Sequence, residues 1–295
     1  MNISVLSLLF VTLVWGATFP VLKIATAQLS GVEVSALRFM LAAVCMLPWA
    51  LRAPRKAWWD GALLGALVLF SYVAQAYGLQ FISSNRSAFL TSLNVLMVPL
   101  LGLLFGNALS WRVIVAAVLA CAGIGLMSWD GGANFVADVS TVAGALGYAL
   151  YVIVLSARAA RHEARSLAAT QIVWMAVLGC GWMLADAVGT DSLHTLGARL
   201  NVEILWGLAY LGVVATAGML FLQARAQRHV SADKAALIYA MEPVFAALFA
   251  WLWLSEGLTL RAALGAAVVV FAIVFSEWKS STPAPPSAPT SAASS

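Results

Sequence analysis

Charge is scarce in this chain. Asp, Glu, Lys and Arg make up 9% of its 295 residues, against roughly 25% in a soluble domain, which needs them to face water. The shortage excludes a water-exposed globule and leaves lipid as the outer solvent. Cysteine and histidine are also scarce, at three each. Cys45, Cys121 and Cys180 all fall inside apolar stretches. That argues against a disulfide scaffold, and no His stands close by in sequence to make a thiol catalyst. They read as small core residues. His162, His194 and His229 fall in connections on different sides of the apolar segments, which argues against a metal centre. No G-x-x-x-x-G-K-[ST] run is present, so ATP drive would need another chain. The net charge of +4 does not suggest nucleic acid as a partner, and nothing in the sequence asks for a cofactor.

What remains is apolar: 63% hydrophobic residues and a mean hydropathy of +0.94. Ten apolar segments can be drawn, approximately Ser4–Ala25, Glu33–Leu51, Trp59–Leu79, Ser84–Phe105, Trp111–Trp129, Val139–Ala157, Ala168–Val188, Glu203–Gln223, Lys234–Leu254 and Arg261–Glu277. At about 1.5 Å per residue, segments of about this length span a hydrocarbon core of about 30 Å. Lipid gives the backbone no hydrogen bonds, so spanning segments are helices or closed barrels. Barrel strands alternate polar and apolar; these segments do not. The expected fold is therefore an all-α membrane protein of ten transmembrane helices. The first segment could be mistaken for a signal peptide, but Met1–Ser4 carry no basic residue, and it reads as the first membrane helix. The Pro-, Ser- and Ala-rich stretch 279–295 has nothing to bury and reads as a disordered tail.

Lys and Arg set the orientation. With the N-terminus cytoplasmic, Arg52, Arg55, Lys56, Arg112, Arg158, Arg161, Arg165, Arg225, Arg228, Lys234 and Lys279 lie inside, which is 11; Lys23, Arg86, Arg199 and Arg261 lie outside, which is 4. Basic residues favour the cytoplasmic side, so both termini are expected there, in a bacterial-type inner membrane. A weak repeat accompanies this. Gly106–Ile124 aligns with Ser255–Ile273 at an offset of 149, with Arg112 meeting Arg261 and Ser110 meeting Thr259. Five helices per half would invert the second half relative to the first. The domains are then 1–130 and 139–278, two inverted five-helix repeats. That symmetry is typical of secondary transporters, with the substrate at the midplane between the halves.

Polar groups inside the apolar segments mark a path, because each is costly unless it meets a partner or water. Ser84, Ser87, Thr91 and Asn94 step by three or four along one helical face. Segment 3 offers Ser71, Tyr72 and Gln75, and segment 8 offers Thr216 and Gln223. Tyr239 and Glu242 are three apart and so are neighbours on segment 9. Trp15, Tyr148 and Tyr151 add aromatic surface. The candidate cavity residues are Trp15, Tyr72, Gln75, Thr91, Asn94, Tyr148, Tyr151, Thr216, Tyr239 and Glu242; helix-to-helix hydrogen bonding is the structural alternative. Glu242 is the sharpest of them. About eight residues past Lys234 it lies about 12 Å deep, and Pro243 beside it frees a backbone carbonyl. It reads either as a carboxylate for a proton or a substrate amine, or as a support for the proline kink. Lys23 reads as snorkelling to the interface. Arg38 reads as pairing with Glu33 or with headgroups. Trp58, Trp59, Trp111, Trp129 and Trp278 read as an interfacial belt. Gly61/Gly65 and Gly102/Gly106 read as close helix contacts.

Four stretches carry a family resemblance: LVWGATFPVLKIA (Leu13–Ala25), ALRFMLAAV (Ala36–Val44), NRSAFLTSLNVLMVPLLG (Asn85–Gly102) and MEPVFAALFAWLWLSEGLTLRAALGAAVVVFAIV (Met241–Val274). Together they resemble the EamA-type branch of the drug/metabolite transporter superfamily, over nearly the whole chain. The resemblance implies a five-plus-five inverted fold around a central cavity. It also implies export or uptake of amino acids or related metabolites. The family often has Glu in the turn where this chain has Asn107, while the counterpart Glu256 is present; that turn is read as structural. The expected partners are the lipid bilayer, a small neutral or zwitterionic solute and, if Glu242 titrates, a proton. A doubly anionic phosphate ester would need paired basic residues. A passive channel or scaffold, or a membrane-embedded enzyme, is the alternative; no nucleophile constellation supports the enzyme.

Overall fold

The computed structural model describes residues 3–104, 111–128, 134–188, 192–254 and 260–277. Every element among them is a helix. In chain order they are α1 Ile3–Gly16, α2 Thr18–Thr26, α3 Gly31–Ala50, α4 Arg55–Phe81, α5 Ser84–Ser92, α6 Asn94–Leu104, α7 Trp111–Ser128 and α8 Phe135–Ala159. There follow α9 Ala164–Asp186, α10 Ser192–Arg199, α11 Val202–Ala209, a π-helical segment Tyr210–Gly218, α12 Met219–Ala226, α13 Ala232–Tyr239, α14 Glu242–Leu254 and α15 Leu260–Glu277. Seven stretches are long and apolar enough to cross a membrane; α7 and α15 supply two shorter apolar runs, Trp111–Leu126 and Leu260–Phe275. Asn107, Glu256, Gly106, Trp129, Trp278 and the 279–295 tail lie outside the described residues.

The outer surface is apolar, as the lack of charge requires. Val44, Trp59, Leu104, Leu184 and Leu260 are exposed, which a soluble fold would avoid in such numbers. The interior is small and aromatic. α7 packs along α15, α3 along α9, and α4 along both α8 and α9. Small residues let these backbones close. A Cβ on Gly123 of α7 would lie 2.7 Å from the Gly265 carbonyl of α15, and one on Gly65 of α4 would lie 2.7 Å from the Gln171 carbonyl of α9.

The expected continuous segments 1, 4, 8 and 9 are each interrupted, and local chemistry explains where. Proline at position i removes the donor for the carbonyl at i−4. Pro20 thus orphans Gly16 and α1 stops there; Pro243 orphans Tyr239 and α13 stops there. Pro243 itself sits in the first turn of α14, where no N–H is needed. Between α5 and α6 the Asn94 amide donates to the Thr91 carbonyl at 2.8 Å, competing with the backbone for it. In the π segment the Thr216 hydroxyl donates to the Leu211 carbonyl, five residues back, at 2.7 Å. Sequence patterning cannot see this last device. It also missed α10.

Candidate functional site

The breaks converge. Helices α1, α2, α3, α4, α5, α8 and α14 enclose a cavity of about 30 Å³ lined by Trp15, Thr18, Arg38, Ser71, Tyr72, Gln75, Thr91, Tyr148 and Glu242. That is room for about one water, so the site is nearly closed in this conformation. Larger apolar-walled grooves exist, one of about 420 Å³ beside Trp182 and Tyr77. They are less informative, because the small cavity, unlike these, brings a guanidinium and a carboxyl group together.

Of the ten residues expected in a cavity, six line this one: Trp15, Tyr72, Gln75, Thr91, Tyr148 and Glu242. Gln75 Nε2 donates to Thr91 Oγ1 at 3.1 Å, so the α4–α5 contact is polar on the cavity side. Trp15 is fixed from behind: its Nε1 donates to the Ala215 carbonyl of the π segment at 2.8 Å. Its ring meets Tyr148 edge-on with centroids 6.0 Å apart and Tyr239 at 5.7 Å. Glu242 keeps part of its surface open and forms no ion pair among the described residues.

The other four expected residues stand behind the wall. Asn94 is buried, and it secures the α5–α6 break with its amide; its Oδ1 has no partner. Tyr239 packs tilted against Trp15 and edge-on to Tyr148 without lining the cavity. Tyr151 belongs to a buried network: it donates to Gln223 Oε1 at 3.2 Å, Gln223 Nε2 donates to Tyr148 OH at 3.0 Å, and Gln171 Nε2 donates to Tyr151 at 3.4 Å. Beside it, Gln227 Oε1 accepts from the Tyr239 hydroxyl at 3.4 Å and Gln227 Nε2 donates to Ser156 Oγ at 2.9 Å. Thr216 accepts from Arg38 Nε and Nη2 at 3.2 and 3.1 Å.

Arg38 is the correction that matters most. It pairs neither with Glu33 nor with the interface. The Glu33 carboxylate is held by Arg199 at 2.5 and 2.8 Å and caps α3 through the Ser30 N–H. Arg38 instead turns inward, 5% exposed, with its guanidinium 4.7 Å from the Tyr72 ring centroid and 5.2 Å from that of Phe39. The signal in sequence was the one charge within ALRFMLAAV. Lys23 is also corrected: its Nζ donates to the Leu79 and Ile82 carbonyls at 2.6 and 2.9 Å, capping the C-terminus of α4. Ser71, read with Tyr72 and Gln75 as marking a path, also lines the cavity, whereas Thr18 was not singled out in the sequence. Away from the site, Asp60 ties Arg158 and His162 together, and Arg86 pairs with Asp138 at 2.7 Å.

A helical bundle with a polar, charged cavity at its centre suits a solute pathway, and comparison with known families decides the class. The EamA-like transporter family matches residues 2–129 and again 136–278. The chain belongs to the EamA-like transporter family, part of the drug/metabolite transporter superfamily. An Archaeoglobus fulgidus protein named as an uncharacterized transporter is 28% identical over 272 residues, covering 91% of this chain and 84% of its own. The Bacillus subtilis uncharacterized transporter YoaV is 22% identical over 280 residues, covering 90% and 93%. A protein of known crystal structure superposes with a TM-score of 0.74 at 16% identity, over 94% of this chain and 97% of its own; at that identity the likeness concerns the fold. This is a multi-pass membrane transporter by family, and the names of its relatives indicate transport rather than catalysis.

Proposed function

We propose that this EamA-like protein is a secondary transporter, an exporter, of small neutral or zwitterionic metabolites such as amino acids. The cavity carries this reading: Glu242 lines it with no ion pair among the described residues, beside the aromatic side chains of Trp15, Tyr72 and Tyr148. A lone carboxylate among aromatic rings suits an ammonium group, by charge and by cation–π attraction, or a coupling proton.

Ten crossings in two inverted halves, with both termini cytoplasmic in an inner membrane, form the frame of this proposal. The helix pairs support it. Exchanging the halves turns α4 on α9 into α3 on the π segment, α4 on α8 into α1 on α12, and α6 on α8 into α1 on α14. In that frame the cavity lies toward the outer half, and the Tyr151–Gln223 network, with Gln227 beside it, closes the inner half. Opening it would exchange hydrogen bonds for water at little net cost. The helix breaks at Ala17, Leu93 and Ala240–Met241 border the cavity and are where helices can bend.

The test is flux in proteoliposomes over a metabolite panel. Saturable uptake that responds to an imposed gradient supports coupled transport. Saturable but gradient-independent flux reduces the reading to facilitation, and no saturable flux for any solute overturns it.

A further inference from the structure

Arg38 lies seven residues past the start of α3, well inside the bundle. A guanidinium there is costly, and no carboxylate answers it among the described residues. Its Nε and Nη2 both point at Thr216 Oγ1, and the Tyr72 ring lies 4.7 Å from its Cζ. These contacts hold one edge and one face of the group. They use two of its five donors. The Nη1 protons find no acceptor among the described residues, yet Arg38 lines the cavity. An oriented guanidinium with one edge free is a fork for a carboxylate.

Glu242 lines the same cavity from α14, also without an ion pair among the described residues. The site therefore brings a guanidinium and a carboxyl group into one cavity with no hydrogen bond or ion pair between them among the described residues. A neutral solute would leave both unanswered, and a simple amine would leave Arg38 unanswered. A phosphate dianion would meet one Arg and be repelled by Glu242. One ligand class answers both groups: its carboxylate meets the guanidinium, and its ammonium favours the ionised form of the carboxyl group it meets.

We propose that Arg38 docks the carboxylate of a substrate whose ammonium group sits on Glu242, which makes Arg38 the residue that selects solutes bearing a carboxylate. This rests on the transport reading and narrows it. Thr216 and Tyr72 are positioning residues that aim the guanidinium. In the nearly closed conformation the cavity is too small for such a ligand, so docking accompanies opening.

The experiment uses purified full-length protein in proteoliposomes and in detergent. Two probe sets are used: L-leucine, 3-methylbutylamine and 4-methylpentanoate; and L-phenylalanine, 2-phenylethylamine and 3-phenylpropanoate. They accompany the remaining L-amino acids and uncharged and phosphorylated metabolites. Wild type should transport a zwitterion and bind it more tightly than the amine or the acid. Arg38→Gln should weaken binding of the zwitterion and the acid about 10- to 100-fold, the loss of a charge-assisted contact, and leave the amine unchanged. Glu242→Gln should do the reverse. Arg38→Lys keeps the charge without the fork and guards against a folding defect; it should bind the zwitterion between wild type and Arg38→Gln. Equal loss of zwitterion and amine in both folded Arg38 variants makes the residue structural and overturns the proposal. So does saturable wild-type transport confined to solutes without a carboxylate, although the transport reading survives that result. Absence of saturable flux for every solute overturns both.

Discussion

Gly16→Ala probes how the bundle holds Glu242 in place. Gly16 ends α1, next to the break at Ala17. A Cβ there would lie 2.6 Å from Phe245 Cβ, 2.9 Å from the Ala246 nitrogen and 3.0 Å from the Phe245 carbonyl carbon of α14. Two of these three atoms are backbone and cannot swing aside. One methyl must therefore push apart α1 and the helix that opens with Glu242. Helix propensity alone would favour the change by about 1 kcal/mol. Overpacking costs about 1–3 kcal/mol, and with backbone on both sides we expect the upper part of that range and a net loss of about 1–2 kcal/mol. Gly181→Ala is the matched control. It lies in α9 on an exposed face, with nothing within 4 Å of the added Cβ, so it should be neutral or stabilising by about 0.5–1 kcal/mol. Thermal unfolding in detergent, followed by tryptophan fluorescence, reads both. Gly16→Ala should lower the midpoint by about 2–8 °C, from about 2–4 °C per kcal/mol. Transport should fall with it, since Glu242 moves. A Gly16→Ala protein as stable as the Gly181→Ala protein would refute the claim that α1 and α14 touch backbone to backbone.

Three other outcomes are expected. Cysteines at Gln75 and Thr91, in a protein cleared of Cys45, Cys121 and Cys180, should react with small charged thiol reagents and be slowed by substrate, whereas one at Ala149, fully buried, should not; equal inertness at all three would make the Gln75–Thr91 bond mere helix glue. Glu242→Gln should fold, since Gln matches its shape and removes the cost of a buried charge, while transport drops sharply or loses its pH dependence; wild-type rate with an unchanged pH profile would make this carboxylate structural. Reporter fusions after Lys279 and within 130–138 should report opposite sides of the membrane, and same-side signals would sink both the orientation and the inverted repeat.

The sequence by itself determined the class. Too little charge to face water, and apolar runs of bilayer length, leave a helical membrane protein as the physical solution. Its four motif stretches sufficed to name the family. Trp15, Tyr72, Gln75, Thr91, Tyr148 and Glu242 were legible as cavity residues because polar or amphipathic groups in lipid need a reason. Tertiary structure alone decided which polar groups face the cavity and which face each other. Thr216 and Tyr151 have the same sequence signature as Thr91 and Tyr148, yet they serve Arg38 and the glutamine network behind the wall. Arg38 shows the limit most clearly. Near a helix end a long cationic side chain can reach headgroups, a neighbouring acid or the interior, and the first two looked cheaper. Arg199 arrives from 166 residues away to occupy Glu33; Thr216, 178 residues away, offers Arg38 its inward partner. Periodicity reports the face of one helix, but a charge settles according to which distant helices reach it first, and only the packed bundle fixes that.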